Sequence, residues 1–557
     1  MKKKTRIMKN KDEMRKNSFV QGAFIATVGV VISKILGIVY VIPFHSVIGE
    51  KGGALYGYAY TIYMMFMAIS TAGIPLAISK IISEYHTLGY EDAKDRAFRI
   101  GKQITLVLGI VSFIILFVFA PQLSRAILGE LKGGNTIQDV TFVIRIISTA
   151  IIIVPVMSVY RGYFEGHKFM SPPAVSQVLE QVVRVAVILI GSFLILKVFN
   201  LSLTTAIGVA VFGATVGALV TYIYLLDKRW KNKAKFSEKQ MDVEEPKISN
   251  KEILTKIMWY AFPIIMIDVF KSLYSFVDTV TVVRALGGNL GFSTADAEII
   301  MGIISTWAAK FNMIIVSIAM GVIISLIPNL TSSYVVGNMK DVRRKINQTF
   351  QILLFLTIPM TIGLSFLAEP VWIVFYGHSQ YGPSVFSYFI FVALVMSLMT
   401  TSITIVQVLK YYKEVFISLF VGLLLKATLN VTLMQVFNTM GLPAYHGSIT
   451  ATILAYGASC VICLITLKTK CQVKYEETVK QVINIICGSV LMTLGLFLLS
   501  LVIPVAVQSR LMNLVLIAAY VIVGASIYFV YMLKTKSIDA IFGDKLIGKF
   551  KSKFLRR

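Results

Sequence analysis

Charge is what this sequence has least of. Only 15% of its 557 residues are Asp, Glu, Lys or Arg, against the roughly 25% typical of soluble chains. That scarcity excludes the string of soluble domains that length alone would suggest. Cysteine is rare too: Cys460, Cys463, Cys471 and Cys487 are the four. Cys460 and Cys463 are spaced C-x-x-C, but inside a helix-length apolar run with no strand nearby. They read as small buried hydrophobes and not as a redox or metal pair. The histidines (His45, His86, His167, His378 and His446) show no metal-ligand spacing. A phosphate-cradling glycine loop, a Ser-His-Asp arrangement and paired catalytic carboxylates are also missing. The chain therefore reads as a non-enzyme with no cofactor and no metal. Any uphill step would draw on an ion gradient or the membrane potential.

What is present is hydrocarbon. Hydrophobic residues make up 56% of the chain, and the mean hydropathy is +0.77. Apolar runs long enough to cross ~30 Å of bilayer as helices recur along the sequence. They predict spans at 19–42, 55–82, 100–120, 140–164, 172–198, 204–226, 255–279, 298–330, 348–368, 383–409, 414–437, 446–467, 480–505 and 511–534. The fold class is an all-α polytopic protein of the cell membrane with about fourteen transmembrane helices. The span at 298–330 is longer than a bilayer needs. The basic N-terminus precedes a run too long for a signal-peptide core, so it reads as an uncleaved first helix.

The net charge of +26 does not indicate nucleic acid, because Lys and Arg sit in short segments between apolar spans. The basic connections are Ser83–Arg99, Asp227–Lys251, Lys340–Lys345 and Lys468–Lys480. They alternate with connections at 369–382 and 438–445 that carry no Lys or Arg. This alternation puts both termini in the cytoplasm. The resulting division is a basic tail (1–18), an N-lobe of six spans (19–226), a cytoplasmic linker (227–252), a C-lobe of six spans (253–467), two further spans (468–534) and a basic tail (535–557). The linker is rich in Lys and Glu and reads as disordered. The lobes look like a repeat of the same orientation. Ala72–Arg96, AGIPLAISKIISEYHTLGYEDAKDR, parallels Ala319–Arg344, AMGVIISLIPNLTSSYVVGNMKDVRR, and Val198-Phe199-Asn200 parallels Val436-Phe437-Asn438. Such a repeat predicts two lobes with a cavity between them.

Five basic residues fall near mid-span: Lys34, Arg184, Lys271, Lys310 and Lys426. Each costs roughly 2.5–3.5 kcal/mol on insertion scales, on the order of 12–18 kcal/mol together, so each needs water, a counter-charge or a ligand. Lys34 and Lys271 occupy matching depths in equivalent spans, as do Arg184 and Lys426. Glu180, one turn from Arg184, and Asp268, three residues from Lys271, are the candidate counter-charges. Lys34, Lys310 and Lys426 have no acidic neighbour within a turn. The surplus of positive charge suits an anionic, multiply charged headgroup. Lys80 and Arg161, at span ends, are candidates for a cytoplasmic entry or for snorkelling. Asp278 and Arg284 are candidates for an outer gate or a solvated pair. Tyr56, Tyr58, Tyr60 and Tyr63 read as an interface belt, and Gly213 and Gly217 as marks of close helix packing.

Three stretches carry a resemblance over nearly the whole chain: NSFVQGAFIATVGVVISKILGIVYVIPF, STAGIPLAISKIISEY and YRGYFEGHKFMSPPAVSQVLEQVVRV. With the cations in spans one, five, seven, eight and eleven, the chain resembles the MurJ-type lipid II flippases. It looks closest to the branch with SpoVB-like and YtgP-like proteins, in the multidrug/oligosaccharidyl-lipid/polysaccharide exporter superfamily. The resemblance implies translocation of an undecaprenyl-pyrophosphate-linked peptidoglycan precursor from the inner to the outer leaflet by alternating access. It also implies a central cationic cavity for the pyrophosphate and a groove for the lipid tail by spans thirteen and fourteen. Lys34 stands where many relatives have Arg, and Lys lacks the bidentate fork. The implied partners are the lipid-linked oligosaccharide pyrophosphate, membrane lipids and cell-wall synthesis enzymes. The alternatives are a flippase for another lipid-linked polysaccharide unit (capsule or teichoic), a cation-coupled multidrug exporter, and a non-transporting scaffold for wall-synthesis enzymes.

Overall fold

The computed structural model describes residues 28–71, 73–236 and 245–542. The N-terminal tail, the start of the first span and the last fifteen positions lie outside the described residues. Among those described there is helix and no strand. Hydrocarbon cannot satisfy a free backbone N–H or C=O, so a chain this apolar satisfies its own within helices.

Thirteen described helical segments are long and apolar enough to cross a membrane. Twelve of them match one expected span each. The other, Val28–Leu88, is 61 residues long, or about 90 Å if straight, three times the hydrocarbon thickness. It is bent within α1 (Val41–Thr71) at Gly49, whose φ of 69° leaves the helical region. It is interrupted again before α2 (Ile74–Leu88), where Gly73 has φ 77°. Two expected spans, 19–42 and 55–82, therefore run together, and the connection expected at 43–54 is helical. Gly73 is also required by space: a Cβ there would lie 2.5 Å from the Ala261 carbonyl oxygen.

Contacts divide the chain into two compact units, Met1–Phe276 and Val277–Arg557. The first contains α1, α2, α3 (Glu91–Leu128), α4 (Ile137–Ser148), α5 (Ala150–Gly166), α6 (Ser171–Ala186), α7 (Leu203–Lys231), α8 (Lys233–Phe236) and most of α9 (Asn250–Asn289). Thr136 and Asp139 form a reciprocal capping box at the start of α4. After α6 the helix loosens into π-helical turns at Val187–Gly191 and Leu194–Val198. The core of this unit joins Ile74, Ile78 and Ile81 of α2 to Phe98 of α3, Met157, Tyr160 and Phe164 of α5, and Ile253 and Ile257 of α9.

The expected disordered linker is pinned in its described parts. Helix α7 continues to Lys231, and Phe236 is buried against Tyr163, Phe164 and His167. Glu245 then accepts the backbone N–H groups of Asp92 (3.0 Å) and Ala93 (2.6 Å), two of the free donors at the start of α3. Arg96 donates to the Ile248 carbonyl (2.7 Å). Among its described residues, Phe236, Glu245 and Ile248 have specific seats.

The second unit holds the end of α9 and then α10 (Thr294–Gly302), α11 (Ala309–Val335), α12 (Met339–Phe366), α13 (Ala368–Tyr376), α14 (Gly382–Val408), α15 (Tyr412–Thr439), α16 (Ala444–Cys471), α17 (Glu476–Ser500), α18 (Arg510–Lys534) and α19 (Ser537–Phe542). A π-helical turn, Ile303–Trp307, joins α10 to α11, so the overlong eighth span is a helix carrying an inserted wide turn. Trp307 and Trp372 are fully buried, and Tyr376 donates to the Trp307 carbonyl (3.0 Å).

Candidate functional site

In the first unit, α6 carries the chemistry. Its polar side chains Ser176, Glu180, Gln181 and Arg184 recur at one-turn spacing. The structure gives Glu180 a partner other than the expected one. Its carboxylate accepts from Arg161 of α5 at 2.7 Å, while Arg161 Nε donates to Ser176 Oγ at 2.8 Å. Arg161 is only 17% exposed, so it is held inside the unit instead of snorkelling from a span end. Arg184 donates to the neutral Gln181 side chain.

The ground beside Arg184 is aromatic. Tyr40 and Tyr56 share a hydroxyl hydrogen bond (3.3 Å). The rings of Tyr56 and Tyr60 lie 4.5 Å apart and those of Tyr60 and Tyr63 5.8 Å apart. Tyr60, Tyr56 and Tyr40 all lie within electrostatic reach of Arg184, as does Glu180. Tyr56, Tyr58 and Tyr63 are buried, so the expected interface belt is an interior cluster. The spacing of Tyr56, Tyr60 and Tyr63 by four and three residues places them on one helix face, a signal that sequence reasoning passed over. Gly213 and Gly217 do mark close packing. A Cβ on Gly217 would meet the Glu180 carbonyl at 2.9 Å and Arg184 Cβ at 3.3 Å, and one on Gly213 would meet the Arg184 carbonyl at 3.1 Å. Helix α7 thus backs the very turn of α6 that carries Glu180 and Arg184.

Lys34 is half-buried in the helical stretch 28–39. Its neighbours on that stretch, Gly29 and Gly37, lie against Ala174 and Gln181 of α6. Lys271 of α9 has the expected partner, with Nζ 3.9 Å from Asp268 Oδ1. Lys80 is exposed, its ammonium 3.9 Å from the centre of the Tyr260 ring.

In the second unit, Lys426, which has no acidic neighbour within a turn of its own helix, finds its counter-charge on another helix. Its side chain is fully buried and bonded to Asp278 Oδ1 at 2.6 Å. It also donates to Asn430 Oδ1 (2.9 Å), the Ser448 carbonyl (3.1 Å) and Thr452 Oγ1. Asn430 Nδ2 in turn donates to Asp278 Oδ1 (3.1 Å) and to Thr281 Oγ1 (2.6 Å). Helices α9, α15 and α16 are tied together at one buried charge pair. Asp278 is bonded to Lys426, and Arg284, six residues on, is exposed. Lys310 is half-buried in the first turn of α11, just after the π-helical turn.

The polysaccharide biosynthesis protein family matches residues 19–334. The chain is 35% identical to the lipid II flippase MurJ of Bacillus subtilis (strain 168) over 554 residues, covering 96% of this chain and 98% of that protein. Its fold matches a solved lipid II flippase MurJ in an inward closed conformation. That match has TM-score 0.64 and 16% identity, covering 94% of this chain and all of the other. It also matches an inward-facing multidrug resistance MATE family transporter of the MOP superfamily, at TM-score 0.60 and 12% identity over 80% of this chain and 98% of that one. Full-length kinship, a membrane-helix fold and a family match across both units' sequence agree: the chain is a multi-pass membrane protein that belongs to the MurJ-type lipid II flippases within the polysaccharide biosynthesis family.

Proposed function

We propose that this chain is a flippase. It moves an undecaprenyl-pyrophosphate-linked peptidoglycan precursor from the inner to the outer leaflet by alternating access. The observation that carries this reading is kinship with the Bacillus subtilis lipid II flippase over 96% of the chain. In this reading both termini are cytoplasmic, and Lys34, Arg184, Lys271 and Lys310 supply positive charge to the headgroup's path. Arg184 is the principal headgroup contact, because its guanidinium fork suits phosphate oxygens and its bonded neighbour is the neutral Gln181. The membrane potential, worth ~2.3 kcal/mol per charge per 100 mV, biases the cycle. Cell-wall synthesis enzymes are its partners.

The three carboxylates singled out from the sequence weigh against a cation-coupled exporter. Glu180, Asp268 and Asp278 each have a basic partner: Arg161, Lys271 and Lys426. Uptake of Na⁺, H⁺ or a cationic drug needs a carboxylate that is free to accept it. The test is depletion of the protein from cells, followed by an added membrane-impermeant enzyme that cleaves lipid-linked muropeptide. Loss of the cleavable outer pool with a growing inner pool supports the reading. An unchanged outer pool moves the substrate to another lipid-linked sugar.

A further inference from the structure

The connection between α16 and α17 is built more firmly than a connector requires. Arg343 of α12 donates through Nε to the Cys471 carbonyl (2.7 Å) and through a terminal nitrogen to Gln472 Oε1 (3.0 Å). Asn347 Nδ2 donates to the Lys474 carbonyl (2.9 Å), and its Oδ1 accepts from Thr478 (2.8 Å). Tyr475 donates to the Leu464 carbonyl (2.9 Å). Burial pushes that phenol well above its ordinary range, so it remains a donor. Gln472 completes the turn with φ 53°.

The loop so fixed borders a cavity of about 580 Å³ that Lys468, Lys474 and Lys480 line together with Glu476. Among the described residues none of these lysines makes an ion pair, so three ammonium groups face one carboxylate. The cavity's remaining wall includes Val479 and Ile483 of α17. The same face continues along the helix as Ile486 and Val490. These four side chains, spaced by four, three and four residues, are 53%, 55%, 46% and 50% exposed. A cationic cradle therefore opens onto an apolar stripe that runs along a membrane-crossing helix.

We propose that this cavity binds the phosphate headgroup of an anionic bilayer phospholipid, with an acyl chain lying along Val479, Ile483, Ile486 and Val490. A free phosphate would use the lysines and leave the stripe idle. A zwitterionic lipid would use the stripe and bring its own cation against three others. The site is separate from the residues proposed to hold the transported headgroup.

The test is native mass spectrometry of the purified full chain titrated with phosphatidylglycerol, phosphatidylcholine, a polyprenyl pyrophosphate and inorganic phosphate. Phosphatidylglycerol is expected to be retained at least about tenfold better than phosphatidylcholine. The combined Lys468→Gln, Lys474→Gln and Lys480→Gln variant is expected to lose that preference, because it removes the charges that attract an anionic headgroup. These lysines are exposed, so an unchanged melting temperature and elution volume verify the variant's fold. Ile483→Gln is expected to weaken phosphatidylglycerol retention while leaving the charge intact. Equal retention of both lipids, or full retention by the triple variant, would overturn the proposal. Displacement by inorganic phosphate at equal concentration would remove the lipid, and displacement by polyprenyl pyrophosphate at tenfold lower concentration would reassign the site to the lipid-linked chain.

Discussion

Arg184 and Lys426, which the sequence pattern pairs as equivalents in its two halves, have opposite surroundings. Arg184 is half-buried, bonded to a neutral amide and ringed by tyrosines. Lys426 is sealed in, with a carboxylate, an amide, a carbonyl and a hydroxyl around its ammonium. The first arrangement leaves a positive charge for something else to neutralise. The second has already neutralised its own and uses the pair to tie three helices. A charge in the membrane is a functional candidate by default, and the difference shows why position alone does not decide. What decides is whether a neighbouring helix brings the opposite charge.

The largest expected effect falls on the sealed pair. Lys426→Met leaves Asp278, half-buried, without its cation, and should cost about 3 kcal/mol of stability, the lower end for breaking a buried pair. The double variant Lys426→Met, Asp278→Leu should recover most of it, because an apolar replacement of both partners is tolerated where removal of one is not. Thermal unfolding in detergent checks both. If the single variant melts like the parent, the pair is not the fastening described here.

Next comes the packing behind Arg184. Gly217→Ala places a methyl 2.9 Å from the Glu180 carbonyl oxygen, which should cost roughly 1–3 kcal/mol by overpacking. It should also shift Arg184 enough to reduce transport, whereas an alanine at Gly321, which has nothing within 4 Å, should be silent. Parallel melting and flipping measurements separate the two glycines.

The smallest effect is a pH dependence away from both sites. Burial holds His167 at about 4, while its ring packs on Tyr163 and Phe236 and its Nδ1 lies 2.8 Å from the Tyr163 carbonyl. Unfolded histidine titrates near 6.5. The folded form is thus neutral where the unfolded form takes a proton. His167 contributes its full stability above about pH 6.5 and loses it progressively down to about pH 4. His167→Phe should flatten the fall in melting temperature across that window. An unchanged slope would show that other groups set the acid sensitivity.

The helices were legible because each crossing needs a long apolar run, and nothing else in the chain competes with that signal. Gly213 and Gly217 were legible for a related reason, since a missing side chain inside an apolar span has few other uses. The charge partners were not. Sequence proximity pointed from Glu180 to Arg184 one turn away, yet Glu180 bonds to Arg161 on α5. Asp278 and Lys426 lie 148 residues apart, a pairing that helical periodicity cannot express. Lys271 and Asp268 could be read because their bond stays on one helix. The tyrosines were misread because Tyr at a span end suits the interface as well as the interior, and only the four-and-three spacing favoured the latter. Within the linker, composition averages over Phe236 and Glu245, so their seats among the described residues were not legible from it.

In the proposed flippase, Arg184 serves the substrate and Lys426 serves the fold. The most direct test compares inner-to-outer translocation of lipid-linked precursor by Arg184→Ala with that by the charge-neutral double variant Lys426→Met, Asp278→Leu, both in reconstituted vesicles. The account predicts that Arg184→Ala, folded and inserted, loses roughly tenfold to a hundredfold of transport, the scale of one hydrogen bond to a charged group, while the double variant stays within about threefold of the parent. Normal transport by Arg184→Ala, or a loss by the double variant as large as the one expected of Arg184→Ala, would contradict it.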